Sequence, residues 1–471
     1  MNSIDTLLRS GASITVLLEA QSSAGMHYLS NTGYVTGIHD ATAPNRAYPD
    51  WLVGVPEIRE SLPDGLFGRS NIGWSEAEIS NPHGVRDGWL DEAWDGRPAR
   101  LLVGASHWPL ADFVPVFTGI STGLQALRGG GLRLLLADPR EALNKPLQET
   151  LLGTGPTPND VTPLTCGQVF NVPPVVIDEP LHRYALHDGP LLAVSDVRVG
   201  GLTSAHTVDL AAGRFDMNVM PAGRVTADAT GPGSTCADLL RLVAARAGVT
   251  TFDEAALAAL DAAAPQALGL WIGESRNAVD VLDEIAASVG AWWGFTGNNE
   301  FTAAVVGIGA PVLTLTPDDF AAQSLELEEM RLPAWRVRLG YRRNWAVQAD
   351  GLFGAVTEAD RQRYGREYDV AEASDAAVKV LHPMARDPEI VGTLLQDAVQ
   401  AQAEATRRLA LFGVQRRSWV ARVTRRGWQL RVGQTVRVFY PRFGLQGGAD
   451  LLVTSVSRRI DRRATEVTLW G

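Results

Sequence analysis

The sequence has 471 residues and a formal net charge of -11, with 42 Lys and Arg against 53 Asp and Glu. That acidic balance argues against nucleic-acid binding by the chain as a whole, because phosphate contacts need basic surface. A hydrophobic content of 45% with 20% charged residues describes a folded chain, and the length calls for two to four domains.

The 47 Gly and 26 Pro, with many short alternating runs, favour β-rich structure broken by turns. The 13 Trp offer large anchors for cores or interfaces. Cys166 and Cys236 lie far apart, with neither metal-ligand spacing nor a disulfide framework. That usage suits synthesis in a reducing cytoplasm. The N-terminus lacks a basic region followed by a long apolar run, so no signal peptide is expected. No run of ~18 apolar residues predicts a membrane span.

In chain order, residues 4–8 read as a short amphipathic piece and residues 13–20 as a strand. Residues 28–36 read as strand, Asn-Thr-Gly turn, strand. Residues 75–80 alternate up to the turn at Asn81-Pro82-His83-Gly84. Strands are expected at 100–103 and 132–136, the latter after a hairpin at Gly129-Gly130-Gly131. Together, residues 1–140 read as a meandering β domain.

Residues 141–230 form a Pro- and Gly-rich extended β region, in which Val172-Pro173-Pro174 excludes helix. Strands are expected at 184–187, 193–199 and 223–230. Residues 231–330 change to an α+β module. Its helices are expected at 237–247 with a Thr235/Asp238 capping box, from Thr251-x-x-Glu254 to about 263, and at 277–289 capped by Ser275. A hairpin around Gly297-Asn298-Asn299 follows.

Residues 331–413 hold a strand at 335–340, a charged and exposed stretch at 358–370, and the longest helix at 388–411. Pro388 marks the first turn of that helix and Gly413 its stop. Residues 414–471 carry four alternating runs, at 418–424, 435–440, 451–457 and 465–470, separated by turn formers. Four such strands suggest a small antiparallel sheet or barrel.

This last stretch contains Leu-x-Val-Gly-Gln-Thr-Val-x-Val, Pro-Arg-Phe-Gly-Leu-x-Gly-Gly, Leu-Val-Thr-Ser-Val-Ser and a final Glu-Val-Thr-Leu-Trp-Gly, in that order. It resembles the C-terminal barrel of bacteriophage tail hub proteins, found at the baseplate or tail tip. Upstream, Trp-Asp-Gly-Arg-Pro at 94–98, Phe-x-Gly at 117–119 and Gly-x-Val-x-Asn-Val-x-Pro-x-x-Ile-Asp at 167–178 resemble the same family. The resemblance implies a β-rich α+β, multidomain chain with two small antiparallel β-barrels linked by α+β modules. It implies a homotrimeric hub that closes the tail tube and adapts its sixfold symmetry to a threefold fibre or spike. The implied partners are the chain itself, a distal tail or tail tube protein, a tape measure protein, and tail fibre or spike proteins. A specific nucleic-acid sequence, a cofactor and a metal are not expected. The implied location is the virion, at the tail tip or baseplate. The alternatives are a tail-associated wall-degrading enzyme, and a distal-tail adaptor or carbohydrate-binding tail protein.

The C-terminal stretch reverses the acidic balance of the chain and is rich in Arg. Three readings stand: a solvated strand face, an electrostatic seam to an acidic neighbouring subunit, or contact with DNA in a tail lumen. The candidate subunit interface is Arg458, Arg459, Arg462 and Arg463.

No catalytic constellation is expected. Ser275 lacks the second Gly of a nucleophile elbow. Cys166, with His182 or His187, sits in no hydrolase signature. Asp91, Glu92 and Asp95 could flank a sugar, but their neighbours Trp89 and Trp94 read as strand-end packing. Gly231-Pro232-Gly233-Ser234-Thr235 lacks the Lys of a phosphate loop.

Overall fold

Alternation of apolar and polar residues folds most of this chain into short strands, and each long sheet takes strands from distant parts of the sequence. The computed structural model describes residues 7, 13–74, 76–137, 143–424, 426–459 and 464–471. Arg462, Arg463 and all of residues 4–8 except Leu7 lie outside the described residues. The chain is β-rich and multidomain.

The N-terminal sheet has seven strands, in the order Gly25–Ser30, Thr15–Ser22, Arg97–Gly104, Val114–Ala126, Leu132–Ala137, Ala77–Ile79 and Leu52–Gly54. Inward residues Val16, Leu18, Leu101, Val103, Phe117, Leu132 and Leu134 build its core. Residues 28–36 do not form the expected hairpin. Gly25–Ser30 pairs with Thr15–Ser22, whereas Tyr34–Val35 pairs with Ala47–Tyr48. The hydroxyl of Ser30 accepts the Gly33 amide at 2.7 Å and turns the chain. Tyr34 then enters a separate small core with Tyr48, Trp108 and Phe113.

In the middle of the chain, Leu164–Val172 lies between Val225–Thr230 and Gly269–Ile272. It thereby joins the extended β region to the helical module. Helices Cys236–Arg246 and Ala278–Ser288 bury Leu239, Leu240, Val243, Val281, Leu282 and Ile285 in one core with Trp293.

The Thr235/Asp238 capping box forms as expected. The other two caps differ. Asp253, not Thr251, caps Glu254–Ala263, accepting the Ala256 amide at 3.0 Å, while Thr251 donates to Asn299 O of the nearby hairpin at 2.8 Å. Ser275 is exposed and caps nothing. The Ala278 amide donates to Lys145 O at 3.0 Å, so backbone from an earlier segment replaces the capping side chain.

The longest helix among the described residues runs Ala398–Phe412, starting ten residues later than expected, and Asp397 caps it at the Gln400 amide, 2.9 Å away. Before it, Val391–Gly392 pairs in parallel with Leu339–Gly340, and Thr393 Oγ1 donates to Gly340 O at 2.7 Å. Leu394 and Leu395 are fully buried from extended backbone, not from a helical stripe. The stretch 358–370 is not simply exposed either. Glu358–Tyr364 is a helix whose Arg363 and Tyr364 are buried.

The C-terminal sheet has eight strands. Six follow the order Leu313–Leu315, Thr435–Val438, Ala449–Arg459, Ala464–Trp470, Arg416–Val423 and Glu326–Arg331. All four strands read from the sequence of this end are present. The other two come from the N-terminal part of the chain: Glu57–Ser61 pairs with Ala449–Arg459, and Asn71–Trp74 pairs with Glu57–Ser61.

Candidate functional site

The segment from Glu57 to Trp74 stitches the N-terminal part of the chain to the rest. The strand Ala449–Arg459 is long enough for two partners on one edge. Its residues 449–452 pair with Thr435–Val438, and its residues 455–459 pair with Glu57–Ser61. A bulge between Val453 and Ser455, seen against Ala464–Trp470, falls where the partner changes. Without Glu57–Ser61, that half of the edge would expose unpaired backbone.

Side chains close the same joint. Arg458 sits opposite Ile58, one pleat from Glu60, which faces Val456. Its Nη1 donates to Glu60 Oε1 at 2.8 Å along the diagonal, and its Nη2 donates to Leu430 O. Arg458 is 3% exposed. Ser457 Oγ donates to Glu57 Oε1. Trp428, from the C-terminal sheet's connecting loop, is buried in the N-terminal core with Ile58.

Further along the segment, Gly68–Arg69 pairs in parallel with Trp292–Trp293, and the Ser70 amide donates to Trp293 O at 2.8 Å. Arg69 lies 3.5 Å from Asp283, whose carboxyl also accepts the Trp293 indole N–H at 2.7 Å. Burial pushes the Asp283 carboxyl above the usual carboxylate range, partly offset by that indole and by Arg69.

Of the four arginines read as a candidate interface, Arg462 and Arg463 lie outside the described residues, and the two that are described separate. Arg458 faces inward and takes its carboxylate partner from the same chain. Arg459, the next residue, is exposed. This division follows from strand alternation, which sends neighbouring side chains to opposite faces. The sequence contains the alternation, but not which distant groups, Glu60 and Leu430 O, close over the inward side chain.

Glu92 accepts from Ser22 Oγ and lies 2.9 Å from His27 Nε2, and that same nitrogen lies 2.9 Å from Ser22 Oγ. A nucleophile relay needs base and acid on different imidazole nitrogens, so this trio is a structural clasp. It packs His27 between Trp89 and Trp94, with ring centroids 4.4 and 4.8 Å away. Asp91 and Asp95 are exposed on either side. Burial pushes the Cys166 thiol up to about 12, so it stays protonated and unreactive near neutrality. His187 Nδ1 accepts the Thr165 amide at 3.0 Å, and burial with nearby Arg246 lowers it to about 4.

No family model matches the chain, and no curated protein matches its sequence. Among solved structures, it is similar to a tail protein from Neisseria meningitidis MC58, over 98% of this chain and 97% of that one, at 12% identity and TM-score 0.45. It is similar to the 43 kDa tail protein of prophage MuSo2 from Shewanella oneidensis, over 97% of each chain, at 11% identity and TM-score 0.44. It is also similar to the prophage tail protein gp18 from Listeria monocytogenes EGD-e, over 98% of this chain and 94% of that one, at 9% identity and TM-score 0.43. Its structural neighbours are thus phage-type tail proteins. Among the described residues, no helix is long and apolar enough to cross a membrane.

Proposed function

We propose that this chain is a structural component of a phage-type tail and forms the hub at the baseplate or tail tip. Three copies make a ring that closes the tail tube. Each copy contributes two β units, so three copies offer six to a sixfold tube while keeping threefold symmetry for a fibre or spike. The reading rests first on the ordered motifs of residues 430–471. The structural observation that supports it is the joint at Glu57–Ser61, where an N-terminal strand completes the C-terminal sheet. A protomer that presents two β units to one ring needs them held at a fixed spacing, and shared strands with a half-buried ion pair hold them. The neighbours in this role are a tail tube or distal tail protein on one side and fibre, spike and tape measure proteins on the other.

The test is the solution mass of the full-length chain by light scattering across a concentration series. A mass of three chains is expected. Six chains would move the protein to the distal-tail ring, and a monomer at every concentration would overturn self-assembly.

A further inference from the structure

A cavity of about 490 Å³ lies beside the joint, between the N-terminal sheet, the helical module and the C-terminal sheet. Its volume is within the range of small-molecule sites. Trp292, Phe295 and Trp428 supply aromatic surface. Gly433, at φ +84°, lets its loop ride against the Trp292 indole, where an added Cβ would come within 2.8 Å of Nε1.

The polar part of the lining has a definite chemistry. Two carboxylates, Glu60 and Asp253, and two guanidiniums, Arg431 and Arg458, contribute to it, so its formal charges balance, and each carboxylate already has an anchoring donor. Arg458 holds Glu60 at 2.8 Å, and Asp253 accepts from the Ala256 amide at 3.0 Å and from Thr302 Oγ1 at 3.3 Å. An ionised carboxylate has about four acceptor positions, so both retain capacity for further hydroxyl donors. Gln434 is also in the wall.

This combination narrows the ligand. A phosphate or other anion finds no net positive charge, because Glu60 and Asp253 balance Arg431 and Arg458 in the wall, and both guanidiniums already donate within the chain, Arg431 to Trp428 O and Leu430 O and Arg458 to Glu60 and Leu430 O. An alkyl chain would strip water from the carboxylates without replacing its hydrogen bonds. A neutral polyhydroxyl ring suits both features: its hydroxyls donate to the carboxylates and its apolar face lies on aromatic rings. We propose that this cavity is a binding site for a neutral saccharide of one or two rings. The inference goes beyond the assembly role and does not depend on it.

The test is saturation-transfer NMR on the full-length chain with a panel of neutral hexoses, N-acetylhexosamines and their disaccharides at millimolar concentration. Ala256, on the wall, is half-buried. Ala256→Trp fills the cavity without removing a wall hydrogen bond, and Trp292→Phe keeps an aromatic ring with less surface. At least one sugar should bind the parent chain, with affinity lowered about tenfold or more in Ala256→Trp and less in Trp292→Phe. Both variants should keep the parent's thermal transition. No transfer from any sugar in the panel would overturn the assignment, as would binding that survives Ala256→Trp unchanged in a folded protein.

Discussion

Arg458 and Glu60, separated by 398 positions in sequence, form a 2.8 Å charge-assisted hydrogen bond across two strands of one sheet. The arginine side chain is 4% exposed and the glutamate 26%, so the pair is dry on one side and wet on the other. Removing Glu60 would leave a guanidinium buried without its counter-charge. Glu60→Ala should cost about 2–4 kcal/mol, below a fully enclosed pair because water still reaches the carboxylate. Denaturant unfolding checks this, and a loss within about 0.5 kcal/mol would show that the pair behaves like a surface ion pair.

The neighbouring arginines should respond differently to charge reversal. Arg458→Glu would put a carboxylate against Glu60 inside the joint, so its effect should be on stability. Arg459→Glu changes an exposed position and should weaken association between copies. Sedimentation velocity and thermal melts on the two variants separate these outcomes. Arg459→Glu with unchanged association would remove this residue from any seam between subunits.

The long helix carries a second charge cluster. Glu404 is 2% exposed and accepts from Arg407 Nε and Arg408 Nε at 2.7 Å each. Arg408 also donates to Ala287 O at 2.6 Å, at the end of Ala278–Ser288. Burial holds the Arg408 guanidinium below its ordinary range, and Glu404 partly restores it. Glu404→Gln keeps the shape but removes the charge, and should destabilise the chain by about 3–5 kcal/mol in a denaturant melt. Arg407→Ala should cost less, since Arg407 is 33% exposed.

His187 gives the fold a dependence on pH. Its folded value of about 4 lies below its ordinary value, so the unfolded chain takes up this proton first. Stability from this group is therefore complete near neutrality and is lost as pH falls from about 6.5 toward 4. At pH 5 the loss should be about 2 kcal/mol. In His187→Gln, the difference in unfolding free energy between pH 7 and pH 5 should shrink by about that amount. An unchanged difference would mean that the imidazole is protonated in the folded chain.

Much of the local structure was legible in the sequence, because its causes are local. The four C-terminal runs became strands because alternation places Trp419, Ala421, Val423, Val436, Val438, Val467 and Leu469 in one buried core, with the bulge at Val453 to Ser455 resetting the phase so that Val453 and Val456 both join it. The Thr235/Asp238 box was legible for the same reason, since both groups lie within one helical turn. Errors arose where a distant segment replaced a local partner: Lys145 O took the place of a Ser275 cap, and the Leu339–Gly340 backbone held Val391–Gly392 extended where Pro388 suggested helix.

The sequence by itself determined the four C-terminal strands, the Thr235/Asp238 cap, the β-rich class and the unusual density of arginine near the end. Only the tertiary structure decided which strands are neighbours. Pairing Glu57–Ser61 with Ala449–Arg459 depends on closing a loop of nearly the whole chain, and no pattern of period two or 3.6 specifies a partner at that distance. That pairing is what sent Arg458 into the joint, left Arg459 at the surface, and built one wall of the cavity at Ile58 and Glu60.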